Sequence, residues 1–141
     1  MISAIEIINS VTNVLRTNFQ VPVYSSNTKE TFDKDCFFIE IAGDYSNIVA
    51  SEYQSDTLTL RLTYFAITKQ ELKTLIKVRE KLKSCFIHGV SGEDFHITLE
   101  DNLNFTITPD NNLEMLLPLH YVQYVPEDEG DVYIETLITN I

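Results

Sequence analysis

Residues 56–85 read DTLTLRLTYFAITKQELKTLIKVREKLKSC, and this stretch decides the fold. Its first part alternates between apolar and polar side chains. Because side chains along a strand switch faces at every residue, the alternation predicts a strand with one apolar face. We place that strand at Glu52 to Phe65. Its apolar face carries Leu58, Leu60, Leu62 and Tyr64.

From Thr68 onward the apolar period lengthens to three or four residues, which is typical of a helix. Thr68 with Glu71 fits a capping box, in which a hydroxyl and a carboxylate bond early helix amides. The predicted inner face of this helix contains Leu72, Leu75, Ile76, Arg79 and Leu82. We expect the first three of these apolar residues to cover Leu60 and Leu62 of the preceding strand.

The N-terminal segment, Met1 to Phe19, is predicted to form a second amphipathic helix. Ser3 followed by Glu6 fits another capping box. Pro22 prevents the helix from continuing and favours a short extended segment at 21–24. The apolar stripe of this helix contains Ala4, Ile8, Val11 and Leu15.

The other strands are predicted from alternation and from turn residues. Cys36 to Ala42 is expected to pair with the long strand as an antiparallel hairpin. Gly43 to Ser51 has no clear period and is predicted as a loop or hairpin tip. A further hairpin is predicted from Phe95 to Ile107, and a strong turn follows at 109–112. Leu113 to Val125 is predicted as a central strand, although its proline at position 118 favours an edge or a bulge.

This order of elements predicts an α+β fold: a mainly antiparallel sheet of four to six strands with two helices packed on one face. Residues 1–125 are expected to form this single domain. Pro126 to Asp131, PEDEGD, is predicted as an acidic linker. Val132 to Ile141 then forms an apolar C-terminal arm, with Val132, Ile134, Leu137 and Ile138 as candidate interface residues. The arm is expected to add to a neighbouring subunit's sheet, or else to an edge of its own sheet.

Charge is unevenly distributed along the chain. The net charge is −11, which argues against binding nucleic acid over a broad surface. Lys69 to Lys83 contains six basic and two acidic residues, so that this helix carries +4 and the remainder −15. Four lysines at i, i+4 spacing form what we call the lysine face, which is either a solvated surface or a docking face for acidic groups on another copy. They are Lys69, Lys73, Lys77 and Lys81.

No sequence pattern predicts a catalytic, cofactor or metal site. His88 is expected in a turn and His96 and His120 on strands, all as structural or surface residues. A metal site from His88, Glu93, Asp94 and His96 is possible by composition, but its spacing matches no zinc or calcium pattern. The two cysteines, at positions 36 and 85, are expected as free thiols, with a disulfide as the alternative. No apolar run approaches the ~20 residues that span a bilayer, so we expect no membrane partner.

At residues 35–40, DCFFIE, at residues 61–65, RLTYF, and at the lysine-rich helix, the chain resembles phage tail terminator proteins. These occur in contractile-tailed phages of Gram-positive hosts, in defective prophages and in phage-tail-like bacteriocins. The resemblance extends over most of the chain in the order and length of its elements.

The resemblance implies a non-enzymatic, structural role without cofactors. Such proteins form a ring, commonly a hexamer, on the last ring of the tail tube, stop tube polymerisation and present the head-joining surface. The implied partners are further copies of the chain, the tube protein, and a sheath or head–tail connector protein. The implied location is the host cytoplasm during assembly and then the head-proximal end of the tail. The alternative from the residues alone is a small ligand-binding or regulatory α+β domain with a defined apolar pocket.

Overall fold

The computed structural model describes residues 2–25, 35–66 and 71–125, which form one sheet with two helices packed on one face. The helices are α1 (Ala4–Phe19) and α2 (Leu72–Phe86). The strands are β1 (Val23–Tyr24), β2 (Cys36–Ala50), β3 (Tyr53–Phe65), β4 (Val90–Ser91), β5 (His96–Leu99), β6 (Asn104–Ile107) and β7 (Leu113–Tyr124).

The strand order is β1-β2-β3-β7-β5-β4, and β6 also pairs with β7. The pairing of β1 with β2 is parallel, and the other pairings of the described strands are antiparallel. The α+β class and the mainly antiparallel sheet are therefore confirmed. The sheet has seven strands, one more than the upper limit of the prediction, because the two-residue strand β4 lies in a region predicted as a turn.

The core lies between the two helices and what we call the inner face of the sheet. Its centre is β3, where every second side chain from Leu58 to Tyr64 is buried, as the alternation predicts. The neighbouring strand β7 buries four residues in the same manner, and each helix contributes three. These are Leu113, Met115, Leu117 and Leu119 from β7, Ile7, Val11 and Leu15 from α1, and Leu75, Leu82 and Phe86 from α2.

The capping box at the start of α1 is confirmed. The Ser3 hydroxyl accepts from the Glu6 amide at 3.2 Å, and the Ser3 amide donates to the Glu6 carboxylate at 3.2 Å. At its other end the helix stops at Gln20, whose φ of 55° is left-handed and whose amide donates to the Arg16 carbonyl at 3.1 Å. Both ends of α1 are thus set by local hydrogen bonds.

The predicted start of α2 is wrong. The helix begins at Leu72, and Glu71 is its N-cap residue without a side-chain capping bond. Glu71 has extended backbone angles, φ −67° and ψ 149°, so it cannot occupy the third helical position that the capping box requires. Thr68 lies outside the described residues.

The predicted inner face of α2 is also partly wrong. Leu75 and Leu82 are fully buried, but Leu72 is 60% exposed and Ile76 is 43% exposed. The buried side chains instead follow the line from Leu75 through Leu82 to Phe86, since the helix rests on β7. Leu60 and Leu62 are buried as expected, with Leu75 alone of the three proposed residues buried in the same core.

The segment 43–51, predicted as a loop, is mostly strand. β2 continues to Ala50 and stays paired with β3 as far as Tyr53, with irregularities in register beside Ala42 and Val49. The prediction failed because every side chain from Ile41 to Ala50 is exposed. With solvent on both faces no hydrophobic period is required, and the strand is held mainly by its backbone hydrogen bonds to β3.

The hairpin predicted over 95–107 is replaced by a different pairing. β5 and β6 follow one another along the same edge of β7, and β6 then turns back into β7 through the predicted turn at 109–112. The break between them lies opposite Pro118, whose carbonyl accepts from the Glu100 amide at 2.9 Å. Pro118 has no N–H to offer on that side, so the irregularity that a proline favours falls in the partner strand.

Both cysteines are free, as expected. Cys36 is buried and Cys85 half-buried. In both cases burial raises the pKa of the thiol above its ordinary value.

Candidate functional site

The most prominent surface feature is the outer part of the β2–β3 hairpin, which we call the distal hairpin and define as residues 41–55. Its β2 side is exposed throughout, and its tip is the turn between Ala50 and Tyr53. The end of β7 runs alongside, since Tyr53 pairs with Tyr124, and the Val125 amide donates to the Glu52 carbonyl at 2.7 Å. The described chain therefore ends at the tip of this hairpin.

The distal hairpin and the end of β7 expose large apolar side chains. Ile48 is 84% exposed and Val49 is 65% exposed. The rings of Tyr53 and Tyr124 pack together with their centroids 5.4 Å apart, and the nearby Glu52 carboxylate raises the pKa of Tyr124. The register places Tyr45, Tyr53, Val122 and Tyr124 on the outer face of the sheet and Ile48 on the other face, so exposed apolar groups flank the hairpin on both sides. Exposed apolar groups gathered at one end of a protein mark interaction sites. We call this set the apolar patch: Tyr45, Ile48, Val49, Tyr53, Val122 and Tyr124.

A buried carboxylate lies where the distal hairpin joins the core. Asp56 is 4% exposed and accepts hydrogen bonds from Ser46, from Gln54 at 3.0 Å and from Gln123 at 2.8 Å. Burial alone would raise the pKa of Asp56, but the hydrogen bonds outweigh it and the pKa is lowered. Gln123 also accepts from the Ile2 amide at 2.7 Å. These bonds connect β2, β3, β7 and the N-terminus at the root of the hairpin.

The lysine face is only partly within the described residues. Lys73, Lys77 and Lys81 are exposed on α2, and Lys69 lies outside. The ammonium group of Lys81 sits 5.0 Å from the ring centroid of Phe19, which fixes that lysine against α1. Lys73 and Lys77 are therefore the two described members of the lysine face that project into solvent without a described aromatic neighbour.

The other predicted site residues lie outside the described chain or away from one another. The C-terminal arm with Val132, Ile134, Leu137 and Ile138 falls outside the described residues. His88 is in a turn, and His96 and His120 are on strands, as predicted. His120 contacts the Ser55 hydroxyl at 2.7 Å and the Glu100 carboxylate at 3.5 Å.

Sequence reasoning missed the apolar patch and the buried Asp56. A signal for the patch was present, because Tyr45, Ile48 and Val49 lie within a segment predicted as a loop or hairpin tip. Apolar residues that follow no period cannot be assigned to a core, and their presence in a supposed loop indicates an exposed contact surface. The partners of Asp56 come from positions up to 67 residues away and could not be foreseen.

Two clefts in the described chain hold about 280 Å³ each. One lies between α1 and the segment 93–95 and is lined mainly by polar side chains, among them Glu6 and Asp94. The other is a groove beside β2, lined by Ile8, Ile39 and Ile41 among others. Residues 2–25, 35–66 and 71–125 contain no group of three or more potential metal ligands. Among the helices described here, none is long and apolar enough to cross a membrane.

Comparison with known proteins gives one family and one fold. A family model described as phage tail terminator protein matches residues 6–131. No curated protein matches the chain. Several solved structures match the chain, and one of them superposes with a TM-score of 0.52 at 16% identity, covering 87% of this chain and 94% of its own. At that identity the superposition shows a shared fold.

Proposed function

Because the chain belongs to the phage tail terminator protein family, we propose that it caps the tail tube as a ring, stops tube polymerisation and provides the head-joining surface. Membership makes it a structural component of a phage-type tail. The observation that carries the proposal is the family match over residues 6–131. The ring we propose is a hexamer, on the tail of a contractile phage, a prophage or a bacteriocin particle.

The surfaces of the described chain support a role in assembly. The apolar patch is exposed on an isolated subunit, and burying it against another protein would remove apolar area from water at about 25 cal/mol per Å². A protein of net charge −11 with a basic helix can also make contacts between unlike charges on successive copies. Both features suit a subunit whose partners are further copies, the tube protein, and a sheath or connector protein.

The experiment that tests this proposal is removal of the gene from the cells that produce the tail, followed by electron microscopy of the particles. We expect tubes of variable and excessive length, without a capping ring and without heads where heads are made. Complementation with the full chain should restore uniform tails. Tails of normal length and normal head attachment in its absence would overturn the proposal. We place the protein in the host cytoplasm during assembly and at the head-proximal end of the finished tail.

A further inference from the structure

The outer edge of β2 has very little strand pairing in the described chain. β1 pairs only with Phe37 and Phe38, so β2 from Ile39 to Ala50 has no partner on that side among the described strands. Natural proteins protect such edges with lysines, prolines or short strands, because an exposed edge accepts further strands. This edge contains no lysine and no proline, its register is regular from Gly43 to Ile48 between irregularities beside Ala42 and Val49, and it includes Tyr45, Ile48 and Val49 of the apolar patch.

The orientation of the edge follows from Pro118. Its carbonyl accepts from the Glu100 amide, so the backbone of Pro118 faces β5. In an antiparallel ladder the N–H and C=O of one residue point to the same side, and successive residues alternate. The N–H and C=O of Thr59, which pairs with Pro118, therefore point towards β2. Those of Gly43, which pairs with Thr59, point towards β3. The backbone of Asp44 consequently points outward to the open edge.

The chain itself contains a segment suited to this edge. The C-terminal arm, VYIETLITNI, has ten residues rich in Val, Ile, Tyr and Thr, the residue types enriched in strands. The open stretch of β2 from Ile39 to Ala50 is twelve residues long, so it can accommodate all ten residues of the arm. Beside the edge lies the groove with Ile8, Ile39 and Ile41, which can take an apolar side chain.

We infer that the C-terminal arm of one subunit adds as a strand to the β2 edge of the neighbouring copy. This inference rests on the ring proposed above and specifies what joins its subunits. The family match ends at residue 131, so the arm lies outside the matched part. Main-chain hydrogen bonds give the contact its strength, and the groove and the apolar patch give it register.

The neighbour's edge is favoured over the arm's own subunit by the position at which the described chain ends. β7 ends beside Tyr53, so an arm reaching its own β2 edge would have to pass over the ends of β3 and β2. The linker PEDEGD carries four carboxylates, and this path would take them past Glu52 at the tip. Crossing two strands also goes against the usual pairing of chain-adjacent strands. An arm that reaches outward to the next copy avoids both costs and repeats around a closed ring.

Disulfide trapping between two distinguishable versions of the full chain tests the inference. Both versions carry Cys85→Ser, while Cys36 is buried. One version carries Asp44→Cys or Ile48→Cys, and the other, of different mass, carries Ile134→Cys, Thr136→Cys or Ile138→Cys. The two are co-produced in tail-forming cells and the assembled tails are oxidised.

We expect a disulfide that joins the two versions for at least one pair of positions. A second set of variants carries both introduced cysteines on the same chain. There, a bond within a single chain would overturn the inference in favour of the arm's own edge. The absence of a disulfide at every pair would overturn it as well. If tails are capped normally without the interchain bond, the inference fails while the proposed function stands.

A matched pair of substitutions separates backbone addition from loss of a side chain. Asp44→Pro removes the outward N–H, whereas Asp44→Thr removes the same charge and keeps the N–H. We expect Asp44→Pro to abolish the interchain disulfide formed between Ile48→Cys and the arm, and Asp44→Thr to preserve it. Equal yields from the two variants would contradict strand addition at this edge.

Discussion

Asp56 joins three strands by hydrogen bonds at the root of the distal hairpin. Its carboxylate accepts hydrogen bonds from Ser46 on β2, Gln54 on β3 and Gln123 on β7, so one side chain fixes the position of three strands. A buried group of this kind is stabilising only while all its partners match, because each unmatched donor costs about 1–3 kcal/mol.

The change Asp56→Asn should therefore lower the free energy of unfolding by roughly 1–3 kcal/mol at neutral pH. The new amide NH₂ would face donors rather than acceptors. Urea denaturation of the purified chain measures the loss, and Asp44→Asn, at an exposed position on the same strand pair, is the control. A midpoint for Asp56→Asn equal to that of the control would contradict this account.

The same carboxylate makes stability depend on pH. Because the folded pKa of Asp56 lies below its unfolded value, its contribution is present above the ordinary aspartate pKa of about 3.9. The contribution is lost as pH falls through the lowered folded pKa. The difference in unfolding free energy between the natural chain and Asp56→Asn should shrink on acidification, which a urea series between neutral pH and pH 3 would detect. A constant difference would show that the charge of Asp56 is not the cause.

Gly89 is a second position where a single residue is constrained. Its φ is +94°, and a Cβ there would lie 1.9 Å from the Ile97 carbonyl oxygen. Gly89→Ala should destabilise the fold by more than about 1 kcal/mol, because both the backbone angle and the space forbid it. Gly43→Ala is the control, since its Cβ would meet the Thr59 side chain at 3.9 Å. Equal thermal midpoints for the two variants would refute this explanation.

At the scale of elements, the contact of β3 with α2 can be tested through Leu60. Leu60 is fully buried in the core that contains Leu75. Leu60→Ala should cost about 2–5 kcal/mol of stability through lost burial and the cavity left behind. Leu72→Ala, at a position 60% exposed, should cost far less. Thermal unfolding compares them, and an unchanged midpoint for Leu60→Ala would mean that β3 does not form the core.

Elements with one buried face could be predicted from the sequence, and elements without one could not. The alternation from Leu58 to Tyr64 and the capping box at Ser3 depend on local chemistry that the sequence displays. β2 beyond Ile41 has solvent on both faces, so its sequence carries no period. β5 and β6 were misassigned because alternation shows that a strand exists but not which strand it pairs with.

The same limit applies to the candidate surfaces. The spacing of Lys73 and Lys77 predicted an exposed basic face, and both are exposed. The apolar patch forms only when Tyr53 and Tyr124 meet, and these residues lie on strands far apart in the chain. A surface built from distant residues follows from topology, which short sequence patterns do not encode.

At the scale of the whole molecule, we propose that the lysine face docks on acidic surface of a neighbouring copy or of the tube. Lys73→Glu with Lys77→Glu should impair ring formation and tail-length control while leaving the thermal midpoint nearly unchanged, because exposed charges contribute little to stability. Arg16→Glu with Lys83→Glu alters net charge equally at exposed positions in the last turns of α1 and α2, outside the Lys73–Lys77 pair. Uniform tails from the first variant, measured by electron microscopy, would restore the interpretation as a solvated surface.

The central position of β7 has a consequence for how the chain folds during synthesis. β2 and β3 pair residues that are close in sequence, from Ala50 with Tyr53 outward, so this hairpin can close early and quickly. β3 and β7 pair residues such as Tyr53 and Tyr124, which lie 71 positions apart, about half the length of the chain. Until β7 leaves the ribosome, one whole edge of β3 stays unpaired. The apolar face of β3 also stays exposed, because the core is not yet complete. A ribosome pause before residue 113 would therefore prolong a state that is prone to aggregation, because this edge and the apolar face of β3 remain exposed.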